Sequence, residues 1–301
     1  MSETDQAQHQ TQPGKNDAAP GKILIVEDDA DTNALIETVL DMAGFKCVQT
    51  YSAEEALQYL EQEVPDAIIT DIMLPGMSGN SLCEHLKMRR RTNLIPVIIL
   101  TALRTQKDKF YGLRVGANDY LTKPFKADDL TRCIRRNIER RNKMKEEGIN
   151  RSIQIDLQSD LKLLDSVNEL LTVVLQDTEV DELEAQKVKY AVLEMGHNAI
   201  EWGNRNDASL VVSINCHMTK DRLVFRIQDQ GSGFAPGNLE HAATPDSDPA
   251  AHLSLREKLG LREGGFGILL SRKYMDEVEY NEKGNCVTLV KHMVPRNPPE
   301  A

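Results

Sequence analysis

Four short apolar runs, each ending in polar residues, constrain the fold of the first half of this chain most strongly. Apolar runs of this length between helical patterns are typical of buried strands in a parallel sheet. Because ligands of such sheets bind beyond the carboxyl ends of the strands, we expect the terminal side chains to converge on one site. The runs are KILIVEDD, AIITD, VIILT and DYLTKPF, and the residues at their ends are Glu27, Asp28, Asp71, Thr101 and Lys123.

The three carboxylates of this set predict a divalent cation, because crowded like charges repel and oxygen ligands with open positions favour Mg²⁺. With the metal present, Asp71 could attack phosphorus as a carboxylate nucleophile. Lys123 would neutralise the acyl phosphate, and Thr101 would hydrogen-bond one of its oxygens, giving a switch that senses the phosphoryl group. The alternative is a set of solvated strand-end charges, which suits one such residue alone better than the ordered set.

In order and spacing these residues resemble the receiver domain of the two-component response regulators. The resemblance covers residues 22 to about 145 and implies a flavodoxin-like fold, with a doubly wound five-stranded parallel sheet and five helices. Asp71 would be the phosphoacceptor, and a cognate sensor histidine kinase would supply the phosphoryl group. The matching motifs are the Glu27-Asp28 pair, Asp71 in TDIMLPGMSG, Thr101 in VIILTA and Lys123 in KPF.

Two further roles follow only from this resemblance. The backbone carbonyl of Met73, two residues after the acceptor, would complete the Mg²⁺ site formed with Glu27, Asp28 and Asp71. Tyr120 occupies the position of an aromatic residue whose rotamer follows the threonine. Phosphorylation would then alter the face near the fourth helix and the fifth strand.

Length and composition predict two domains in a cytoplasmic protein. The chain has 301 residues and 40% apolar content, enough for two ordinary cores. No apolar run approaches the length of a membrane span, and the start lacks the apolar core of a signal peptide. Residues 1–21 are rich in Gln, Asp, Ala, Pro and Gly and predict a disordered tail. Five widely spaced cysteines without a CxxC motif fit reduced, structural thiols.

The charge distribution argues against direct DNA binding, since the net charge is −11 and phosphate contacts need clustered bases. The exception is the basic stretch LTRCIRRNIERRNKMKEE at 130–147. We interpret it as the last helix of the first domain, extended into a linker with its bases solvated and ended by Gly148. A DNA contact is the minor alternative, because no helix-turn-helix pattern follows. The predicted units are a receiver at 22–129, a linker at 130–150 and a second domain at 151–296.

The second half begins with two amphipathic helical patterns. SDLKLLDSVNELLTVVLQD has an apolar stripe and Ser159 as a candidate N-cap. DELEAQKVKYAVLEMGHNAIEWGN places Glu194 and Asn198 four residues apart, on one polar face where a carboxylate and an amide could meet a ligand. The alternating segments LVVSINCHM and RLVFRIQDQG then predict an antiparallel pair of strands.

Two glycine-rich motifs follow these strands. DQGSGF places Asp229 at a strand end, and its glycines permit a sharp backbone and a close approach, although a hairpin turn would explain it equally well. A polar stretch from Ala235 to Glu263 predicts a mobile lid. GGFG then opens the apolar helix ILLSRKYM, where glycine-rich amides at a helix N-terminus favour phosphate.

Taken in order, these motifs resemble the ATP-binding domain shared by histidine kinases, gyrase-type ATPases and the anti-sigma-factor serine kinases. EMGHNAIEWGN corresponds to the N box, DQGSGF to the first glycine box and GGFGILL to the second, over residues 153 to 293. The resemblance implies an α/β-sandwich of the GHKL ATPase type that binds Mg-ATP. The anti-sigma kinases are most similar, because they share the leading helix, the short distance to the N box and a segment like MDEVEY.

This second resemblance also implies roles for individual residues. Asn198 would coordinate Mg²⁺, Glu194 would act as general base toward a protein hydroxyl, and Asp229 would accept the adenine amino group. Three positions depart from the usual pattern and bear on nucleotide affinity: Trp202 stands where histidine is common, His197 precedes the asparagine, and GNCV at 284–287 replaces a Gly-Thr pattern. The glycines that would let the backbone approach the nucleotide are Gly231, Gly233, Gly265 and Gly267.

Three functions compete at this point. The first is a phosphorylation-controlled serine/threonine kinase for an anti-sigma-antagonist-like protein in a partner-switching pathway that also involves a sigma factor. The second is a non-catalytic, nucleotide-gated module that sequesters a sigma factor or antagonist, suggested by the GNCV segment. The third is an atypical hybrid histidine kinase. Against it, no helix pair that carries a phosphoacceptor histidine precedes the N box in the sequence. A homodimer through the receiver is a further expectation.

Overall fold

The computed structural model describes residues 21–102, 113–176, 178, 180–233 and 267–293. Residues 1–20 of the predicted tail at 1–21, the predicted lid and Gly265 lie outside the described residues. The strands are β1 Lys22–Val26, β2 Lys46–Thr50, β3 Ala67–Asp71, β4 Val97–Thr101, β5 Leu113–Val115, β6 Asp119–Thr122, β7 Arg151–Gln158, β8 Val211–Met218, β9 Arg222–Gln228, β10 Glu277–Tyr280 and β11 Cys286–His292. The α-helices are α1 Ala30–Met42, α2 Ala53–Gln62, α3 Gly79–Met88, α4 Ala127–Glu146, α5 Leu163–Gln176, α6 Glu182–Asn198 and α7 Gly267–Tyr274.

The first sheet is parallel, with the strand order β2-β1-β3-β4-β6. Alternate residues of β1 face opposite helical layers, as a strand buried on both faces requires. Ile23 and Ile25 pack in the cluster that includes α1 and α4, whereas Leu24 and Val26 pack in the cluster that includes α2 and α3. The predicted doubly wound parallel sheet is confirmed. Four of the five expected helices are among the described residues.

Helix α4 runs without interruption through the predicted linker. It ends at Glu146, and Gly148 closes it as predicted, since the φ of Gly148 is +75° and its N–H donates to the carbonyl of Lys145. One base departs from the prediction of a solvated basic face. Arg141 is buried, and its guanidinium donates to the carbonyls of Pro65 and Asp66 beside β3. Helix α4 therefore stays attached to the first sheet almost to its end.

The second sheet is antiparallel, with the order β10-β11-β9-β8-β7-β5. The apolar faces of α5 and α6 cover one side, and Val167, Leu171, Val188 and Val192 on these faces are buried. Full burial of such a side chain contributes about 1.5–3 kcal/mol. None of the helices in the described ranges has the length and apolar character needed to cross a membrane.

Two local features differ from the sequence-based expectations. Strand β7 was not predicted, although RSIQIDLQ alternates between buried and half-buried residues along its length. Ser159 is not the N-cap of α5, because the helix begins at Leu163. The Ser159 hydroxyl instead donates to the carbonyl of Leu210, which joins the ends of β7 and β8. A helical stripe that extended past the helix caused this error.

Strand β5 belongs to the first domain by sequence but pairs with the second sheet. It lies in the connection between β4 and β6 and forms an antiparallel ladder with β7. The turn after β5 is held by Lys87, which is 3% exposed and donates to the carbonyls of Asn93 at 3.1 Å and Ile95 at 2.7 Å and to Asn118 Oδ1 at 2.8 Å. Burial lowers the pKa of Lys87 to about 8, so the ammonium remains protonated at neutral pH.

We expect Lys87→Met to lower the denaturant midpoint of unfolding, because methionine fills the space but removes the Lys87 donor from the buried carbonyls of Asn93 and Ile95. The expected cost is about 1–3 kcal/mol. The matched control is Lys46→Met at an exposed position of β2. Equal midpoints for the two variants in urea unfolding followed by circular dichroism would contradict this role of Lys87.

Candidate functional site

The carboxyl edge of the first sheet brings together three of the predicted charged residues. Glu27 follows β1, Asp71 ends β3 and Lys123 follows β6, so parallel pairing places all three at one edge. The Lys123 ammonium donates to Glu27 Oε2 at 2.6 Å and to Asp71 Oδ2. Thr101 ends the intervening strand β4 and is buried, and its carbonyl accepts a 2.7 Å hydrogen bond from the Lys123 backbone N–H.

Burial sets the protonation of this cluster. It raises the pKa of Glu27, which is 2% exposed, and the Lys123 ammonium opposes that shift. Burial also lowers the pKa of Lys123, but hydrogen bonds and charge attraction from Asp71 and Glu27 outweigh it and leave the pKa raised. The ammonium is therefore charged throughout the neutral range. It compensates two carboxylates that would otherwise repel each other.

The other proposed metal ligands lie at the rim. The Asp28 side chain is exposed, and its charge reaches Glu27, whose pKa it helps to raise. The Met73 backbone N–H donates to Asp71 Oδ1 at 2.9 Å, and its side chain is 79% exposed. Within the described ranges, no three His, Cys, Asp or Glu side chains are arranged as a metal site. The oxygen donors suit Mg²⁺ chemically, and the magnesium site stays a prediction.

Tyr120 lies on the strand that pairs with β4, the strand that ends at Thr101. Tyr120 lies on β6 opposite Ile99 of β4, two residues before Thr101. Its side chain is half-buried against the apolar cluster between the sheet and helices α2 and α3. Tyr120 and Ile99 of β4 thus belong to the same apolar cluster.

A second cluster surrounds Asp229, which follows β9 and is 8% exposed. Its carboxylate accepts a 2.8 Å hydrogen bond from the backbone N–H of Gly231. Burial raises the pKa of Asp229, and the Gly231 N–H partly offsets this effect. Asn285 is paired with the same residue, since the Asp229 N–H donates to its carbonyl at 3.0 Å and its side-chain amide donates to the Asp229 carbonyl at 3.2 Å.

Helix α6 reaches this cluster through a π-helical turn, Ala199–Gly203. Gly203 is required there, because a Cβ on it would lie 2.4 Å from Asp229 Cγ. The next residue, Asn204, was missed by the sequence reasoning. Asn204 is buried. Its Oδ1 accepts a 2.8 Å hydrogen bond from the N–H of Gln230, and its Nδ2 donates to Ser159 Oγ at 2.8 Å. Its position directly after a glycine at the end of a helical pattern is the only signal that the sequence offers.

The polar face of α6 meets the start of α7. Glu194 and Asn198 are both half-buried, and a Cβ on Gly267 would lie 2.2 Å from Glu194 Oε2. The first residue of α7 therefore packs directly against the Glu194 carboxylate. His197 Nδ1 pairs with the Leu193 carbonyl of its own helix at 2.9 Å. The described residues thus bring Glu194 to the helix that follows the second glycine motif.

Two family models match this chain, one in each half. Residues 23–135 match the model described as response regulator receiver domain. Residues 157–291 match the model described as histidine kinase-like ATPase domain. Each match corresponds to one of the two sheets. The exception is β5, which lies within the first match but pairs with the second sheet.

The following relatives and solved structures each cover about 40% of this chain. The probable transcriptional regulator ycf27 of Guillardia theta is 41% identical over 40% of this chain and 47% of that protein. The phosphate regulon transcriptional regulatory protein PhoB of Escherichia coli is 38% identical over 42% of this chain and 56% of that protein. The chain thus spans about half the length of the curated relatives that it matches.

Two of the similar solved structures are isolated domains. The signal receiver domain of a signal transduction histidine kinase from Syntrophus aciditrophicus is 33% identical, and the match covers 40% of this chain and 90% of that chain with a TM-score of 0.36. The receiver domain of the Francisella response regulator 1452 is 32% identical over 40% of this chain and 98% of that chain, with a TM-score of 0.35.

We expect Gly233→Ala to destabilise the second domain far more than Gly148→Ala. The two glycines have nearly equal φ angles, +78° and +75°, so both substitutions carry the same backbone strain of about 1–2 kcal/mol. Only Gly233 is also crowded, because a Cβ there would lie 1.9 Å from the backbone oxygen of Lys283. Thermal unfolding of both variants measures the difference, and similar melting temperatures would refute the close approach.

Proposed function

Because the chain joins a response regulator receiver domain to a histidine kinase-like ATPase domain, we propose that phosphorylation of Asp71 controls an ATP-dependent protein serine/threonine kinase. The observation that carries the kinase proposal is the contact between Glu194 and Gly267. Helix N-termini favour phosphate, and a carboxylate beside the transferred phosphoryl group is placed to accept a proton from an attacking hydroxyl. The proposed kinase is bacterial and works in a partner-switching pathway.

On the receiver, Asp71 attacks the phosphorus of the donor, and the bond between phosphorus and the donor's leaving group breaks. Glu27, Asp28, Asp71 and the Met73 carbonyl would hold Mg²⁺, which when bound supplies positive charge to the phosphoryl oxygens. Lys123 already bridges Glu27 and Asp71, so it needs little movement to pair with an acyl phosphate instead. Thr101 would donate to a phosphoryl oxygen from the neighbouring strand.

In the ATPase domain, the residues divide between base recognition and phosphoryl transfer. Asp229 would accept the adenine amino group, and the backbone of Gly231, Gly233, Gly265 and Gly267 would approach the nucleotide. Asn198 would hold Mg²⁺, which when bound supplies charge neutralisation to the phosphates. Glu194 would take the proton of a serine or threonine hydroxyl, whose oxygen then bonds to the γ-phosphorus while ADP leaves.

The partners follow from these roles. A sensor histidine kinase would donate to Asp71, and a small anti-sigma-antagonist-like protein would accept the phosphoryl group from ATP, with a sigma factor as a further partner. The net charge of −11 supports a protein partner over direct DNA binding. A homodimer through the receiver remains part of the proposal.

One observation favours a second function, a nucleotide-gated sequestering module without catalysis. Asn285 stands in the GNCV segment, and both ends of its side chain are used inside the protein. Its Nδ2 donates to the Asp229 carbonyl, and its Oδ1 accepts from Asn281 at 2.9 Å. Because protein groups occupy both ends of the Asn285 side chain, it is less available to bind the adenine base. This would weaken nucleotide binding and slow turnover.

Substitution of the general base tests the kinase proposal. We expect Glu194→Gln to lower phosphoryl transfer from γ-labelled Mg-ATP by at least about a hundredfold, because the amide cannot accept the hydroxyl proton. The measurement is acid-stable labelling of small proteins in a host lysate, with and without acetyl phosphate. Glu182→Gln, in the exposed first turn of the same helix, is the matched control. Labelling that survives Glu194→Gln would exclude this mechanism.

Nucleotide affinity should depend on the ionisation of Asp229. Since burial raises the pKa of this carboxyl, protonation begins above the usual range and replaces the charged acceptor for the adenine amino group with a weaker, neutral one. We expect affinity to fall as the pH is lowered from neutrality, and Asp229→Asn to bind about tenfold more weakly without that pH dependence.

Nucleotide binding can be followed by intrinsic fluorescence, because the only tryptophan of the sequence, Trp202, is 46% exposed in the π-helical turn beside Asp229. Tryptophan fluorescence during Mg-ATP titration gives the affinity at each pH. A pH profile that is the same for wild type and Asp229→Asn would rule out this role of the carboxylate.

A further inference from the structure

The receiver contributes one strand to the sheet of the ATPase domain. In β5, Leu113 lies opposite Leu157 and Val115 lies opposite Ile155 of β7. Val115 is buried in the same apolar cluster as Val192 and Met195 of α6. Helix α6 also carries Glu194 and Asn198. A segment of the first domain is therefore part of the core that supports the candidate nucleotide residues.

The segment from Thr101 to Lys123 contains β5 and β6, and both of its ends lie at the candidate phosphorylation site. The connection leaves β4 at Thr101 and returns through β6, which is followed by Lys123. The backbone N–H of Lys123 donates to the carbonyl of Thr101 at 2.7 Å, so the two ends are also bonded to each other. A displacement of Thr101 or Lys123 toward a phosphoryl group would thus act on a segment whose middle is a strand of the other domain.

Helix α3 forms a second link between the same two places. Its first residue, Gly79, packs against Asp71, since a Cβ on Gly79 would lie 2.0 Å from the Asp71 carbonyl oxygen. Its last residue, Met88, accepts a 2.9 Å hydrogen bond from Arg151 at the start of β7. The buried Lys87 beside it holds the turn after β5 through Asn118.

The receiver covers the edge of β7 at both ends. Arg151 is 3% exposed and donates to the carbonyls of Met88 and Val174, which belong to different domains. The backbone N–H of Ser152 donates to Asn93 Oδ1 at 3.3 Å. Strand β5 then covers Ile155 to Leu157. An uncovered edge of this length would offer its backbone groups to other chains or to solvent.

We propose that β5 is the element through which the receiver controls the ATPase domain. With Asp71 unmodified, Lys123 is bound to Glu27 and Asp71, and β5 is paired with β7. Phosphorylation draws Lys123 and Thr101 toward the new phosphoryl oxygens, detaches β5 from β7 and loosens the core under α6. This inference rests on phosphorylation of Asp71 in the proposed function, and it does not depend on the kinase output.

A disulfide across the ladder tests the proposal. Arg114 and Asp156 lie directly opposite each other, at a Cα separation of about 4.5–5.5 Å that a disulfide can span. The variant R114C/D156C, oxidised, would fix β5 on β7, and a reductant would release it. The matched control is Q154C/N215C, which joins β7 to β8 within the ATPase domain only. Oxidised wild type controls for the five native cysteines.

The readout is amide hydrogen exchange of the β7 peptide, with and without acetyl phosphate and Mg²⁺. We expect phosphorylation to accelerate exchange in residues 151–158 by about tenfold in wild type and in the control disulfide, and not in oxidised R114C/D156C. Mg-ATP affinity, measured by Trp202 fluorescence, should change with acetyl phosphate in wild type and in the control disulfide, and should not change in oxidised R114C/D156C. Reduction should restore both responses in R114C/D156C.

Acid-labile labelling of Asp71, absent from Asp71→Asn, separates the two possible failures. Unchanged exchange in β7 despite labelled Asp71 would overturn the role of β5 and leave the proposed function standing. A full response in oxidised R114C/D156C would overturn it as well. No labelling of Asp71 would remove phosphorylation control itself, and with it the premise of this inference.

Discussion

The single ammonium of Lys123 makes the carboxylate edge of the first sheet possible. Glu27 is buried and Asp71 lies beside it, and two carboxylates at such a place are costly unless a cation joins them. The electrostatic energy of Glu27 and Asp71 therefore depends on the position of the Lys123 ammonium. Any group that competes for that charge, an acyl phosphate above all, changes the bonding at the ends of β1, β3 and β6 at the same time.

The positions of these residues could be predicted because a parallel sheet converts sequence order into proximity. Apolar runs define strands, strands of this kind end at one edge, and the polar residue after each run must be there. Helix boundaries were less accessible, as Ser159 illustrates. Its neighbours continue the apolar spacing of α5, but its hydroxyl has a stronger partner in the carbonyl of Leu210. Tertiary hydrogen bonds of this kind leave little trace in a local pattern.

The second domain was predictable in its motifs and less so in its contacts. Asp229 and the glycines around it stand in a recognisable order, but their hydrogen-bond partners come from distant segments, such as Asn204 after the π-helical turn and Asn285 just before β11. Strand β5 was missed for a different reason. It is three residues long and stable only as an edge partner of β7, so no periodicity in its own sequence identifies it.

The shared sheet also limits the modularity of this chain. Fusion proteins are usually regarded as independent units joined by a linker, and here that linker would be the end of α4. The hydrogen-bonded unit instead includes three residues that precede α4 in the sequence. A chimera with a foreign receiver would need a matching strand at the same place. Recombination at the linker alone would leave the histidine kinase-like ATPase half with an incomplete sheet, so a change in either half has to preserve the pairing of β5 with β7.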